Sequence, residues 1–207
     1  MGFYASTGKR LVDLLLTVVI STMTAPLHAL CALAILLTSG RPIYFSQARA
    51  GRDGQPFDLM KFRTMRVGTH ELSGGYPDRD MITPIGGLLR RTSLDELPQL
   101  INILKGEMSL VGPRPALPDQ VERYTRRQRG RLQVRPGLTG LAQLRYRNDA
   151  PWSRRIEADL EYIDNLSFRS DISLLIRTVP AVLTGSGVAV HQTAADVDDL
   201  GGQDAGD

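Results

Sequence analysis

Lys9-Arg10-Leu11-Val12-Asp13-Leu14-Leu15-Leu16-Thr17-Val18-Val19-Ile20 opens an apolar run that continues to residue 37, with Met23-Thr24-Ala25-Pro26-Leu27-His28 at its centre. Between residues 11 and 37 only Asp13 and His28 can carry charge. A membrane-spanning helix needs about 20 apolar residues, which the run supplies. A signal peptide shares the basic start, but its apolar region is about 7–15 residues long and closes on a small-residue cleavage site. This run is longer and no clear site of that kind follows it. A helix buried in a soluble core is a further reading. Pro26 and the flanking charges favour another. Proline bends or breaks a helix because it lacks an N–H and crowds the preceding turn. Lys9 and Arg10 precede the run, and Arg41, Arg49 and Arg52 follow it. Basic flanks prefer the cytoplasmic side. For both ends to stay there, the segment must enter the bilayer, bend at Ala25-Pro26 and return. Thr22 or Thr24 is expected to satisfy the freed backbone carbonyls. Residues 1–38 therefore read as a re-entrant membrane helix.

The rest of the 207 residues is enough for one further domain, over residues 39–188, and an acidic tail, 189–207, expected to be disordered. Residues 191–207 hold five Asp and no Lys or Arg, so against a formal +3 overall the remainder carries +8. Its partners are expected to be anionic: a nucleotide, a phospholipid or a nucleic acid. Cys31 is the only cysteine, so no internal disulfide forms and a reducing compartment is natural.

Outside the apolar run, the most informative stretch is Arg90-Arg91-Thr92-Ser93-Leu94-Asp95-Glu96-Leu97-Pro98-Gln99-Leu100. Adjacent carboxylates repel unless a cation or proton lies between them. Arginine forks suit phosphate oxygens. Carboxylates, arginines and a helix start together suggest phosphoryl chemistry with a divalent metal. The plain alternative is a capping box, Ser93 to Glu96, that merely closes a helix start. Pro98 argues against it, because proline is best tolerated in a first turn, which moves the helix start to Asp95 or beyond.

The stretch from Gly40 to Gly54 reads as a strand and then a turn, with Asp53-Gly54 as the hairpin pair, and Phe57 to Met65 as the return strand, with Lys61 and Arg63 on one face. Thr83 leads a short helix into the acidic pair, and Leu97, Ile101 and Leu104 form an apolar stripe that Lys105-Gly106 ends. Pro113-Arg114-Pro115 is a stiff loop suited to an anion contact. The run Arg123, Arg126, Arg127, Arg129, Arg131 and Arg135 lacks any nucleic-acid-binding signature, so beside a membrane element it points to anionic headgroups. Helices carrying Ile156, Leu160 and Ile163, then Ile172, Leu175, Ile176, Val179 and Leu183, read as core walls or as helices in the headgroup plane. The fold class is α+β: a membrane helix-break-helix plus a small cytosolic domain of helices, interfacial amphipathic helices and short β-hairpins.

Six ordered motifs carry a resemblance over residues 9–188. They are the basic-start apolar run with its central proline, Gln47-x-Arg49-x-Gly51, Lys61-Phe62-Arg63-Thr64-Met65, Ser93-Leu94-Asp95-Glu96-Leu97-Pro98-Gln99, the segment from Gly106 to Arg114-Pro115, and Arg135-Pro136-Gly137-x-Thr139-Gly140. In these the chain resembles the monotopic phosphoglycosyl transferases, the bacterial sugar transferase family. The resemblance implies transfer of a sugar-1-phosphate from a UDP-sugar to polyprenyl (undecaprenyl) phosphate, with release of UMP. That is the first membrane step of exopolysaccharide, O-antigen or glycoprotein assembly. It implies Mg²⁺, a monotopic place on the cytoplasmic face of the bacterial inner membrane, no nucleic acid, and downstream glycosyltransferases as possible partners. It places the nucleophile on Asp95, also a metal-binding position, and an assisting carboxylate on Glu96, which would aid proton removal or support the metal. Arg90, Arg114 and Arg147 fall on nucleotide-sugar positions, with Lys61, Arg63 and Gln143 as further substrate-binding candidates. The family often has Ser-Pro at the membrane bend, where this chain has Ala25-Pro26. Two other classes compete: a membrane-anchored one-step glycosyl transferase releasing UDP, and a non-catalytic basic adaptor.

Overall fold

The structure is a computed structural model that describes residues 4–69, 79–146, 150–183 and 198–200. Its longest element is α1, Lys9–Ser39, 31 residues and therefore about 46 Å. Pro26 lies inside this one helix, so the expected break is not seen as an interruption. Pro26 leaves the Thr22 carbonyl without its helical donor. The Thr22 and Thr24 hydroxyls do not turn to it; they donate one turn back, to the Val18 and Ile20 carbonyls at 2.9 and 2.8 Å.

Both ends of α1 rest on the same body. At its start Lys9 Nζ lies 2.7 Å from Asp171 Oδ2, and Asp13 accepts from Ser109 Oγ and the Leu110 N–H at 2.8 and 3.1 Å. Arg10 donates to the Ile103 and Leu104 carbonyls. At its other end Cys31 and Ile35 pack with Phe62 and Leu89. The opposite face is apolar and open to solvent along its length, through Leu11, Leu15, Val19, Met23, Leu30 and Leu37. A soluble helix would bury such a face.

The expected hairpin forms from β1, Tyr44–Ala50, and β2, Pro56–Phe62, paired antiparallel from Tyr44↔Phe62 to Ala50↔Pro56. Asp53 and Gly54 turn it with φ of 56° and 76°, the positive values that favour this dipeptide. The second sheet is not a hairpin: β3, Ser109–Val111, and β4, Gly137–Thr139, pair in parallel. Parallel pairing needs a long crossover, here the segment carrying the Pro-Arg-Pro loop, the short α4, Pro118–Glu122, and the whole arginine run.

Helices α2, Pro84–Arg91, and α3, Gln99–Lys105, flank the acidic pair. Thr83 caps α2 by accepting the Gly86 N–H at 3.0 Å. Gly106, at φ 89°, closes α3 in the left-handed region, as expected from Lys105-Gly106. Of the apolar stripe only Leu97 packs on the core; α3 buries Leu100, Asn102 and Ile103, while Ile101 and Leu104 face outward. After α5, Leu141–Tyr146, the last helices are α6, Trp152–Asp164, and α7, Phe168–Leu183. Ile156 of α6 is fully buried, but α7 turns Asp171 and Leu174 inward and leaves Ile176 and Val179 exposed. The main core gathers Leu59, Leu100, Ile103, Met108, Leu110, Val111, Tyr162 and Leu174. Of the tail expected to be disordered, residues 198–200 pack: Arg123 forks onto Asp198, and Leu200 sits among Ala116, Tyr124, Trp152 and Ile156. Charge complementarity explains this; acidic residues meet one of the arginines assigned to headgroups.

Candidate active site

The chain between α2 and α3 makes the site. Ser93 adopts φ 55° and has no side-chain cap bond, so the capping box does not form. A 3₁₀ turn, Leu94–Glu96, follows, and α3 begins only after Pro98. The left-handed Ser93 and the short turn hold both acids ahead of α3 rather than within it.

Glu96 faces two cations. Lys61 Nζ donates to its Oε1 at 2.7 Å, and Arg114 Nη2 lies 3.4 Å from the same oxygen. Lys61 is 3.7 Å from Asp95 Oδ2, so one ammonium bridges both acids. Burial raises the Glu96 pKa, yet Lys61 and Arg114 outweigh it and hold the carboxyl below its usual range. Asp95 goes the other way. Burial pushes its pKa up; Lys61 opposes the rise and Glu96 adds to it. Arg90 donates through Nε to Thr64 Oγ1 at 2.8 Å. Burial depresses its pKa and the Asp95 charge opposes the fall. The two neighbouring acids are therefore driven in opposite directions, Glu96 down by fixed cations and Asp95 up by burial.

Arg114 combines a fixed backbone with an exposed guanidinium. Four consecutive carbonyls of its loop accept hydrogen bonds from three separate elements. Pro113 O takes the Gly137 N–H at 2.8 Å, Arg114 O takes Arg131 Nη2 at 2.9 Å, Pro115 O takes Arg49 Nη1 at 3.4 Å, and Ala116 O takes the Ala50 N–H at 2.9 Å. Gln47 Oε1 in turn accepts from Arg49 at 2.7 Å. This gives the Gln47-x-Arg49-x-Gly51 and Arg135-Pro136-Gly137 motifs a physical role as walls for Arg114.

Other expectations change. Arg63 lies just past the end of β2, so strand alternation no longer puts it beside Lys61. It donates instead to the Ser39, Gly40 and Arg41 carbonyls at 2.5, 2.8 and 3.1 Å, capping α1. Gln143 donates to Leu138 O at 3.2 Å and packs on the Gly140 turn. Arg147 lies outside the described residues. Five of the six arginines assigned to headgroups are bound within the chain, Arg129 by donating to the Glu122 carbonyl at 3.4 Å. Arg123 takes Asp198, Arg127 takes Glu157, Arg131 takes Asp159, and Arg135 takes the Gly106 carbonyl. Sequence reasoning missed the Lys9–Asp13–Asp171 network and the Arg131–Asp159 pair. Lys9 and Asp13, four apart at the start of an apolar run, were the available signal for the first.

A family model described as "Bacterial sugar transferase" matches residues 4–185. The chain belongs to this family. It is 42% identical over 180 residues to the uncharacterized sugar transferase EpsL of Bacillus subtilis, covering 87% of this chain and 89% of that protein. It is 41% identical over 186 residues to a Caulobacter vibrioides protein named UDP-glucose:undecaprenyl-phosphate glucose-1-phosphate transferase, covering 85% of this chain and 70% of that one. An Escherichia coli protein of the same name is 40% identical over 181 residues, covering 83% of this chain and 39% of that protein. This bacterial sugar transferase is thus an enzyme, a phosphoglycosyl transferase, which excludes the non-catalytic adaptor.

Proposed function

We propose that the protein passes a sugar-1-phosphate from a UDP-sugar to polyprenyl phosphate in two displacements through Asp95, at the cytoplasmic face of the bacterial inner membrane. In the first step an Asp95 oxygen attacks the phosphorus that carries the sugar. The bond from that phosphorus to the bridging oxygen breaks, and UMP leaves with the bridging oxygen and its electron pair. A phosphosugar-aspartyl ester remains. In the second, an oxygen of polyprenyl phosphate attacks the same phosphorus and Asp95 leaves as a carboxylate. Glu96, held ionised by Lys61 and Arg114, is too weak a base to take a proton efficiently, so of its two expected roles it serves by supporting the metal, and it fixes both cations beside Asp95. Arg114 and Arg90 supply positive charge toward a donor diphosphate, whose oxygens otherwise repel an anionic nucleophile.

Among the described residues no group of three or more His, Cys, Asp or Glu is placed to hold a metal. Mg²⁺ asks for less, since it keeps several waters and takes one or two carboxylates plus phosphate oxygens. Asp95 suits it: the carboxylate is 3.7 Å from Lys61 and accepts no hydrogen bond among the described residues. Bound there with the donor, Mg²⁺ would neutralise diphosphate charge as UMP departs.

The outward apolar face of α1 supports insertion into a lipid leaflet. A helix that crosses a core of about 30 Å leaves one end on the far side, yet Lys9 and Ile35 both pack on the same domain. That supports a monotopic arrangement, with the site at the height of the lipid phosphates. Relatives named as undecaprenyl-phosphate glucose-1-phosphate transferases and as exopolysaccharide production proteins support the substrate class and pathway.

The observation that carries this reading is the adjacent pair Asp95 and Glu96, with pKa values driven apart beside Lys61, Arg90 and Arg114. The test is a panel of UDP-sugars incubated with enzyme, Mg²⁺ and polyprenyl phosphate. UMP release with at least one donor is expected. Release of UDP instead contradicts the reading in favour of one-step glycosyl transfer.

A further inference from the structure

Arg131 is the most deeply buried of the arginines assigned to headgroups, and its side chain is only 2% exposed. Its Nη2 lies 2.6 Å from Asp159 Oδ2 on α6 and donates at 2.9 Å to the Arg114 carbonyl, and its Nη1 donates to Tyr124 Oη at 2.5 Å. The Asp159 side chain is 1% exposed. A buried ion pair is an expensive way to fill space. Apolar side chains of equal volume often serve stability as well or better, because desolvation offsets most of the Coulomb attraction. An apolar side chain cannot, however, donate to a carbonyl.

The recipient is telling. Prolines on both sides of Arg114 lack N–H groups, so the loop cannot hold itself by local backbone bonds from those positions. It is held from outside, and among the described residues only Arg131 bonds the Arg114 backbone. Tyr124 and Asp159 fix the guanidinium from two further directions. The grip reaches the backbone of the residue whose own guanidinium stands 3.4 Å from Glu96.

We infer that Arg131, locked by Asp159, is a positioning residue for donor binding: it fixes the backbone from which Arg114 meets the nucleotide-sugar phosphates. This rests on the proposed function. Arg131 touches no substrate; it acts through Arg114.

Removing Arg131 alone strands a buried carboxylate and endangers the fold, so the test replaces the pair, Arg131→Met with Asp159→Leu. The expected enzyme melts at or above the temperature of the unaltered one. Its kcat/KM for the UDP-sugar falls about 10- to 100-fold, chiefly through KM, as a displaced contact group predicts. In an Arg114→Ala background the same pair replacement changes kcat/KM no further, because the residue it positions is gone. A folded pair variant with unaltered kcat/KM overturns the inference, as does an equal loss in both backgrounds. Hydrogen exchange supplies a readout free of activity. The Gly137 and Ala50 amides, which donate to the Pro113 and Ala116 carbonyls, exchange faster in the pair variant if the loop loses its grip, and unchanged exchange contradicts the inference. Failure of the unaltered enzyme to release UMP would instead strike the proposed function, leaving the exchange result to decide the positioning claim.

Discussion

Asp95 and Glu96 are neighbours in the chain with opposite electrostatic fates. Burial raises the Asp95 pKa, so between the ordinary carboxylate range and that raised value the native state holds a proton the unfolded chain has lost. Stability contributed by this group is therefore present at low pH and lost as pH rises. Asp95→Asn should then raise the melting temperature at neutral pH while cutting turnover by on the order of 10³-fold or more; scanning calorimetry and UMP release check the two halves. Glu96 has the opposite sign. Its lowered pKa means stability present above the unfolded value and lost on acidification. Glu96→Gln, which breaks the pairing with Lys61 and Arg114, should cost about 1–3 kcal/mol at neutral pH. Lys61 also bears on rate. It is the largest influence opposing the rise in Asp95, so Lys61→Met should move the acid limb of the kcat/KM profile to higher pH; an unmoved limb contradicts the electrostatic reading. The acidic pair itself was legible in the sequence, because adjacent carboxylates beside arginines need an explanation. Which lysine would neutralise Glu96 was half legible: Lys61 is 35 residues away, and only the hairpin brings it close. Arg63 misled because strand alternation was carried one residue beyond the end of β2.

At the scale of elements, the parallel pairing of β3 and β4 decides where Arg114 stands. The two backbones approach so closely that a Cβ on Gly137 would lie 2.0 Å from the Gly112 nitrogen. Gly137→Ala should destabilise the fold by about 2–4 kcal/mol, whereas Gly87→Ala, with nothing nearer than 4.0 Å at its Cβ, should be neutral or stabilising by up to about 1 kcal/mol. Denaturant unfolding of the two variants checks the contrast. The hairpin, α2 and the end of α3 were legible because their turn and cap residues act locally. The parallel pair was not, since three-residue strands carry almost no periodicity and their partners lie 28 residues apart. The stripes at α3 and on α7 were read with the right spacing, but periodicity does not say what covers them: Leu97 and Leu175 pack on the core, while Ile101, Leu104, Ile176 and Val179 are exposed. On both helices much of that face points outward.

For the whole molecule, α1 is both the anchor and a structural strut. Its first turn is bound to Asp171 and its last to Arg63, so the catalytic domain grips it at both ends and leaves an apolar face between them. Met23→Glu on that face should weaken membrane retention, by about 2.5–3.5 kcal/mol if the position lies deep in the hydrocarbon, without disturbing the Asp95 site; flotation with vesicles measures the first and UMP release in detergent the second. The membrane character of the run was legible from length and composition. The helix's seating on the domain was not, because Lys9, Asp13 and their partners are separated by as many as 162 residues. On the proposed two-step mechanism this seating would be an advantage. A site held at the bilayer surface would meet its donor from water and its acceptor from lipid, and a covalent intermediate would let the two arrive separately. The most direct test is to incubate the purified enzyme with UDP-sugar and Mg²⁺, withhold polyprenyl phosphate, quench, and map added mass by peptide. The account predicts a sugar-phosphate adduct on Asp95 that disappears when acceptor is added. An enzyme that turns over with acceptor present, yet never carries mass at Asp95, would contradict it.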